Sequence, residues 1–166
     1  MLSELHLLGL RPDTLRRLHS GRDDWTADEP GLAVVSWPAD DRRMLGYRIE
    51  ALDLDPSAAP YLLHVILDEG GNLLGRIGCH AGPDDDGEVE IGYFVQSTER
   101  RRAIAGRAVD QFLAWLQGEG VRRVKATVRP DNEPSLKILR RRGFVETGTQ
   151  WDEDDGLELV FSRALG

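Results

Sequence analysis

Residues 100–109, RRRAIAGRAV, combine four arginines with small side chains in a chain whose formal net charge is −8. Helical spacing begins within this stretch, which predicts that it lies at a helix N-terminus, where unpaired backbone N–H groups and the helix dipole attract anions. The small residues would let a phosphate approach, and the guanidinium groups donate hydrogen bonds that a diphosphate accepts. The stretch therefore predicts a diphosphate seat, and solvated surface arginines are the alternative that these residues alone leave open.

The charge of the chain is unevenly distributed. Residues 100–142 contain twelve Lys or Arg and four Asp or Glu, whereas the remainder contains nine and twenty-five. An acidic chain repels a long polyanion, but a compact anion is still attracted to a local positive site. A small phosphorylated ligand is therefore favoured, and no nucleic-acid partner is expected.

Four elements must position this stretch. The alternating residues of EVEIGYFV (88–95) predict a strand, and apolar residues at helical spacing predict a helix over 101–117 that QGEG ends. Alternation returns in VRRVKATV (121–128), which predicts a second strand parallel or nearly parallel to the first. In RPDNEPSLKILRRRGF, Pro134 and Gly143 bracket a further short helix.

The flanking sequence adds strands and a helix. Residues from Tyr61 through Ile77 predict a hairpin with a turn at 69–72, and Gly78 indicates a bulge or a close approach. RPDTLRRLHSG predicts an N-terminal helix, two final strands are expected in GFVETG and LELVFSRAL, and residues 22–60 mix helix and loop signals. The order predicts one α+β domain over 1–166 with a mixed, mostly antiparallel central sheet and flanking helices.

Composition favours a cytoplasmic protein. The N-terminal residues lack the cationic lead and apolar core of an export signal, and the longest apolar run is far too short to cross a bilayer. The single cysteine, Cys79, cannot form an internal disulfide and is expected to be a buried small side chain. We expect a cytoplasmic location and no membrane partner.

Two stretches resemble the GNAT superfamily of N-acetyltransferases. EVEIGYFVQSTERRRAIAGRAVDQFLAWL contains a strand, a loop like R/Q-x-x-G-x-G/A and a helix, and the second stretch contains N-x-x-S-x(7)-G-F at Asn132, Ser135, Gly143 and Phe144. The resemblance covers roughly 61–144 and is nearest to the branch that acetylates the N-termini of ribosomal proteins. It implies the three-layer α/β/α acyl-CoA N-acyltransferase fold, acetyl-CoA as the acetyl donor and no metal.

The resemblance also implies which residues bind acetyl-CoA. Backbone amides of the loop would hold the diphosphate, two strand residues would offer main-chain groups to the pantetheine arm, and the short helix would add polar contacts. These residues are Arg101, Arg102, Ala103, Ile104, Ala105, Gly106 and Arg107 in the loop, Phe94 and Val95 in the strand, and Asn132, Ser135 and Arg140 in the short helix. Ala103 replaces the first glycine of the motif, so its methyl group would crowd the phosphate if φ were positive there.

The catalytic residues are predicted from the reaction. An amine must lose a proton before it attacks a thioester, so the site needs a base, for which we prefer Glu90 over Glu88 on the same strand face; a solvent-facing glutamate is the plain alternative. Many relatives place a tyrosine acid where this chain has Leu139, and Ser135 is the expected substitute unless it only caps or packs the helix. The isolated histidines His64 and His80 are expected to be packed or surface residues.

The leading hypothesis is therefore an N-acetyltransferase that moves acetyl from acetyl-CoA to a primary amine by direct attack in a ternary complex. The acceptor would be a protein or peptide N-terminus, a polyamine or another small-molecule amine, and a homodimer is compatible with the sequence. The alternative is a catalytically weak acyl-CoA-binding regulatory or interaction module with the same fold, which the departures at Ala103 and Leu139 motivate. A nucleic-acid binder that uses the arginines ranks third.

Overall fold

The computed structural model describes residues 4–22, 24–27, 29, 32–33, 37–96 and 103–166. The described residues form seven strands, five α-helices and two short 3₁₀ turns. The strands are β1 (His6–Gly9), β2 (His64–Leu67), β3 (Leu73–Cys79), β4 (Glu88–Val95), β5 (Arg123–Val128), β6 (Val145–Asp152) and β7 (Gly156–Ala164). The helices are α1 (Pro12–His19), α2 (Arg42–Leu54), α3 (Ala59–Leu62), α4 (Ile104–Gly118) and α5 (Glu133–Arg141).

The strands form one sheet in the order β1-β2-β3-β4-β5-β7-β6. Every neighbouring pair is antiparallel except β4 and β5, which are parallel. Parallel neighbours need a long crossover, and α4 lies in the connection between them. The predicted mixed, mostly antiparallel sheet and its parallel pair are confirmed.

Two apolar clusters pack on the sheet. The first joins residues of β3, β4 and β5 to buried residues of α4 and α5, such as Phe112 and Leu139. The second joins residues of β2 and β3 to α1, α2 and α3, and includes Leu15 and Leu45. Burial of apolar surface in these two clusters holds the helices against the sheet.

The helix predicted over 101–117 is confirmed in its described part as α4. Its side chains at 104, 108, 109, 112 and 116 have helical spacing and are all buried. This spacing places them on one face, which packs in the first cluster. The helical spacing of apolar residues in this segment therefore correctly predicted the buried face of α4.

The apolar run that begins at Tyr61 is not a strand throughout, which corrects the prediction. Tyr61 and Leu62 end α3, and β2 begins at His64. All residues from Leu62 to Leu67 are buried, so their hydrophobicity does not distinguish a helix from a strand. Pro60 in the first turn of α3 favours the helix.

The turn and the glycine that follow this run match their predictions. Residues 69–72 connect β2 and β3, and the Asp68 carboxylate accepts hydrogen bonds from the backbone N–H groups of Gly70 and Asn72. A Cβ on Gly78 would lie 2.2 Å from the carbonyl oxygen of Leu62. The predicted close approach at Gly78 is confirmed, since only a residue without Cβ fits there.

Sequence patterns missed β1 and left α2 unassigned. β1 is a four-residue edge strand whose backbone partner, β2, lies far along the chain. The buried face of α2 contains Leu45, Arg48 and Leu52. Because Arg48 occupies one of these buried positions, the apolar residues of α2 do not recur at regular helical spacing, and the pattern does not predict the helix.

Cys79 is fully buried, as expected, and burial raises the pKa of its thiol to about 12. A thiol with this pKa stays protonated at neutral pH and is a poor nucleophile. None of the helices in the described ranges has the length and apolar composition of a membrane span.

Candidate active site

The paired strands β4 and β5 separate before either one ends. Their register runs from Glu88 opposite Arg123 to Ile91 opposite Ala126, whereas β4 continues to Val95 and β5 to Val128. The side chains of β4 alternate between the two sheet faces along this stretch. Where the pairing ends, successive side chains of β4 therefore point to opposite faces of the sheet.

Glu90 lies on the sheet face that α2 covers, just before the strands separate. One carboxylate oxygen, Oε1, accepts a hydrogen bond of 3.1 Å from Thr127 Oγ1 and lies 3.6 Å from His80 Nδ1. The other, Oε2, lies 3.6 Å from Lys125 Nζ. The carboxylate is held from three sides, which positions it more firmly than a solvent-facing strand glutamate.

The second candidate base, Glu88, has a simpler environment. It lies on the same strand face, and its carboxylate is 4.0 Å from the guanidinium of the exposed Arg123. An exposed ion pair of this length contributes little to stability. Glu88 is also one strand repeat farther from the end of the β4–β5 pairing. The geometry therefore agrees with the preference for Glu90.

Lys125 extends the polar surface around Glu90 across the sheet. Its ammonium donates to Gln150 Oε1 at 3.3 Å, and Gln150 Nε2 donates to Glu158 Oε2 at 2.9 Å. Glu158 is buried. This chain of contacts connects Glu90 through β5 and β6 to β7.

On the opposite face, the hydroxyl groups of Tyr93 and Ser135 lie 2.6 Å apart and share a hydrogen bond. Tyr93 is packed against the first apolar cluster, and Ser135 is buried in the first turn of α5. Burial raises the pKa of Tyr93, an effect that the hydrogen bond from Ser135 and the charge of Arg142 oppose. The tyrosine therefore retains its proton at neutral pH.

Tyr93 is a candidate functional residue that the sequence analysis missed. The position at which many relatives place an acid, Leu139, is fully buried in the apolar core. A signal was available, because the alternation that puts Glu90 on one face of β4 puts Tyr93 on the other. Its partner on α5 could not be inferred without the tertiary structure.

His80 is exposed, as expected for a surface histidine, and it also lies beside Glu90. Its pKa is lowered by burial and by Arg48, Lys125 and Arg76, whereas the charge of Glu90 raises it. The net lowering favours the neutral imidazole at neutral pH, and a neutral imidazole can accept a proton. No spacing motif could have revealed this contact.

A cavity of about 330 Å³ adjoins His80 on the α2 face. Carboxylates, apolar side chains and one tyrosine line it: Tyr47, Glu50, Ala51, Leu54, Asp55, Ala58, His80, Ala81 and Gly82. Nearby, Arg43 Nη1 and Tyr47 Oη donate to the Asp154 carboxylate at 2.7 and 3.1 Å, which connects α2 to the β6–β7 turn. His80 therefore lies next to both this cavity and Glu90.

At the start of α4, Ala103 occupies the N-cap with φ 56° and ψ 25°. This left-handed conformation is unfavourable for a residue with a Cβ. Among the described residues, it is the only one other than glycine with positive φ. The sequence analysis expected the methyl group of Ala103 to crowd the phosphate if φ were positive, and φ is positive.

A sequence profile decides the family. Residues 4–145 match the profile described as acetyltransferase (GNAT) domain, which is most of the chain. The chain belongs to the GNAT acetyltransferase family. The recognition made from the two motifs is confirmed, and so is the α+β acyl-CoA N-acyltransferase fold.

Curated relatives match over shorter segments. An uncharacterized N-acetyltransferase of Bacillus subtilis, YjdG, is 29% identical over 82 residues, 49% of this chain and 49% of that protein. Another from the same organism, YoaA, is 31% identical over 77 residues, 46% of this chain and 44% of that protein. The chain therefore matches about half the length of these relatives.

Solved GNAT structures resemble nearly the whole chain. A ribosomal-protein alanine acetyltransferase from Vibrio fischeri aligns with a TM-score of 0.67 at 16% identity, covering 99% of this chain and 94% of that one. The RimJ protein of Mycobacterium smegmatis, solved with a CoA disulfide, aligns with a TM-score of 0.67 at 22% identity, covering 96% and 81%. At these identities the likeness establishes the fold.

The two GNAT residues predicted to contact pantetheine, Phe94 and Val95, lie in the part of β4 beyond its last pair with β5. Phe94 is partly exposed, and its ring lies 5.6 Å from the guanidinium carbon of Arg76. Arg76 is in turn held by two hydrogen bonds to Asp41, of 2.7 and 2.9 Å. This part of β4 is therefore braced from the α2 side.

The predicted GNAT loop is described only in part. Arg101 and Arg102 lie outside the described residues. Beyond Ala103, Ile104 and Gly106 are buried, and Ala105 and Arg107 are half-buried. A Cβ on Gly106 would lie 2.5 Å from Arg142 Nη2, so close packing between α4 and the end of α5 accounts for this glycine.

On α5, Asn132 is the N-cap, and its side-chain oxygen accepts a hydrogen bond of 3.3 Å from the backbone N–H of Ser135. The cap is therefore supplied by Asn132, while the Ser135 hydroxyl contacts Tyr93. Arg140 is exposed, with its guanidinium carbon 5.9 Å from the ring of Phe161. Neither arrangement tests the predicted contacts with CoA.

Proposed function

We propose that this GNAT protein transfers acetyl from acetyl-CoA to a primary amine by direct attack in a ternary complex. The observation that carries the proposal is the position of two polar groups at the end of the β4–β5 pairing. Glu90 lies on one face of the sheet, and the hydroxyl pair of Tyr93 and Ser135 lies on the other. A thioester that enters between the strands would have a base on one side and an acid on the other.

Acetyl-CoA is the proposed donor because of the family and the local backbone. The segment from 103 to 107 begins α4, where the helix dipole favours an anion. The extended end of β4 suits an added strand-like ligand such as pantetheine. In this assignment Phe94 and Val95 contact the arm, Asn132 and Ser135 lie along it, and Arg140 is near the adenosine end.

Glu90 is the proposed base. An amine at neutral pH is mostly protonated and must give up a proton to become a nucleophile. Glu90 Oε1 accepts this proton, and His80 Nδ1, 3.6 Å away, receives it and releases it towards the adjoining cavity. The nitrogen lone pair then forms the C–N bond at the thioester carbonyl carbon, and Glu90, which has passed the first proton to His80, accepts the second proton that the nitrogen loses.

Collapse of the tetrahedral intermediate breaks the C–S bond and leaves the electron pair on sulfur. The proposed proton donor is the Tyr93–Ser135 pair, in which Ser135 contacts the sulfur and Tyr93 supplies the proton. Burial keeps Tyr93 protonated, so a proton is available when the thiolate forms. This arrangement supplies the acid that Leu139 cannot.

The test compares Glu90→Gln with Glu88→Gln, a matched control on the same strand face. Release of free thiol from acetyl-CoA is measured with a panel of primary amines as a function of pH. Loss of a general base lowers kcat by about 10²–10⁴-fold, so Glu90→Gln should do this and remove the acidic limb of the pH profile. Glu88→Gln should change kcat by less than about twofold, because its carboxylate makes only a weak exposed ion pair.

Calorimetric titration with CoA separates the two classes of function. Both variants should bind CoA like the wild type. CoA binding without thiol release from any amine would support the regulatory module instead. An unchanged acidic limb in Glu90→Gln would remove Glu90 from the mechanism.

A further inference from the structure

A buried cation faces the proposed reaction centre from α2. Arg48 is 4% exposed, and its Nε donates a hydrogen bond of 3.1 Å to the carbonyl oxygen of Leu62. Within the described ranges, no carboxylate forms an ion pair with this guanidinium. The contrast is Arg76 on the same face, whose charge Asp41 neutralises with two hydrogen bonds.

The end of the Arg48 guanidinium lies over Gly92. A Cβ built on Gly92 would be 3.7 Å from Arg48 Nη2 and 3.1 Å from His80 Nε2. Gly92 follows Ile91, the last residue of β4 that pairs with β5, and it shares a sheet face with Glu90. The absence of a side chain at Gly92 therefore lets His80 and the end of Arg48 lie close against β4, on the face that also contains Glu90.

The terminal nitrogens of Arg48 form no hydrogen bond with the described residues. They are nevertheless not completely enclosed by the described protein atoms. They therefore touch accessible space. Burial and the charge of Arg76 lower the pKa of Arg48 to about 10, while Cys79 and Glu90 act in the other direction. The side chain is still a cation at neutral pH.

A buried guanidinium without a paired anion is costly, and its planar fork matches the two oxygens of a carboxylate. We propose that Arg48 binds a carboxylate of the acceptor, so that the acceptor is an α-amino acid or a similar small zwitterion. In this arrangement the carboxylate lies on Arg48, and the neighbouring amine points towards Glu90 on the same face of β4. This inference rests on the proposed acetyltransferase function and specifies the acceptor class.

The wild-type enzyme tests the inference without any substitution. The probes are L-phenylalanine and L-leucine, each compared with its amide and with its decarboxylated amine, with acetyl-CoA as donor. We expect kcat/KM for the amino acids to exceed that of the decarboxylated amines by about 10–100-fold, the range expected for a hydrogen-bonded charge pair. The decarboxylated amine is the main comparison because it retains the side chain and the amine and lacks only the carboxylate.

Three variants locate the preference. Arg48→Met should reduce the kcat/KM ratio to about one, and Arg48→Lys should retain part of it because the charge remains. Arg42→Gln removes an exposed arginine from the first turn of the same helix and should leave the ratio unchanged. If Arg48→Met fails to fold by circular dichroism, the wild-type ratio and Arg48→Lys decide the question.

The outcomes distinguish this inference from the function on which it rests. Acetylation of all the probes with a ratio near one overturns the carboxylate site and leaves the acetyltransferase proposal standing. Faster reaction with a polyamine or a peptide N-terminus than with any amino acid does the same. If Arg48→Met keeps the wild-type preference for amino acids over decarboxylated amines, a group other than Arg48 binds the carboxylate, and the inference is wrong. If CoA binds but no amine is acetylated, the proposed function and this inference both fail.

Discussion

Replacing Ala103 with glycine should stabilise this protein, although glycine normally weakens a helix. Ala103 has φ 56° at the N-cap of α4. For a residue with a Cβ this conformation costs about 1–2 kcal/mol. The substitution removes that strain but gives the unfolded chain more freedom, which costs about 0.4–1 kcal/mol. The expected net gain in the free energy of unfolding is about 0.5–1 kcal/mol.

The matched control is Ala114→Gly, which makes the same chemical change at an exposed position in the interior of α4. There the backbone is helical, so glycine should lower the free energy of unfolding by about 1 kcal/mol. For a chain of this size, 1 kcal/mol corresponds to about 2–4 °C in Tm. The Tm and the urea midpoint should therefore rise for Ala103→Gly and fall for Ala114→Gly.

Destabilisation by both glycines would refute the reasoning about Ala103. A second readout is the affinity for CoA by calorimetry. If the methyl group crowds the phosphate, Ala103→Gly binds CoA more tightly than the wild type, and Ala114→Gly binds it equally well. Stabilisation without a change in affinity would separate backbone strain from ligand contact.

Two further predictions concern stability. Gly78→Ala should lower the free energy of unfolding by at least about 2 kcal/mol, because the new Cβ would lie 2.2 Å from the Leu62 carbonyl oxygen. Gly118→Ala, at the end of α4 with no atom within 4 Å of the new Cβ, should not lower it, because alanine is the better helix former. Equal losses in urea unfolding would contradict the steric argument. Burial lowers the pKa of His64, while its hydrogen bond to the carbonyl of Pro60 opposes this. The unfolded chain, with a histidine pKa near ~6.5, therefore binds the proton more readily, and stability should fall as the pH drops below that value. Urea unfolding from about pH 7 to pH 5 should show that the advantage of the wild type over His64→Gln shrinks on acidification, and a constant difference would remove His64 from this effect.

Much of the fold follows from local patterns. The period of α4, the alternation in β4 and β5, and the ends of α5 marked by Pro134 and Gly143 were all interpreted correctly, because each depends on residues near one another in the chain. β6 extends beyond the predicted strand to Asp152. Its added residues are mostly polar and none is buried, so pairing with β7 and not an apolar pattern makes them a strand.

The candidate site was only partly predictable. Glu90 and Ser135 were proposed from the reaction and the resemblance, whereas Tyr93, His80 and Arg48 acquire interest only through what they contact. In the sequence, His80 is only an isolated histidine, and neither Tyr93 nor Arg48 belongs to a motif. Their partners come from other elements of the fold.

The sequence by itself determined the family, through two spaced motifs, and determined most helices and strands, through periods that record which side of each element is apolar. The tertiary structure decided which side chains meet. Strand register and the packing of α2 and α5 on opposite faces of the sheet bring Glu90 to His80 and Tyr93 to Ser135. The reason is physical: periodicity is set by neighbours along the chain, but a contact between elements depends on long-range pairing that no single segment encodes.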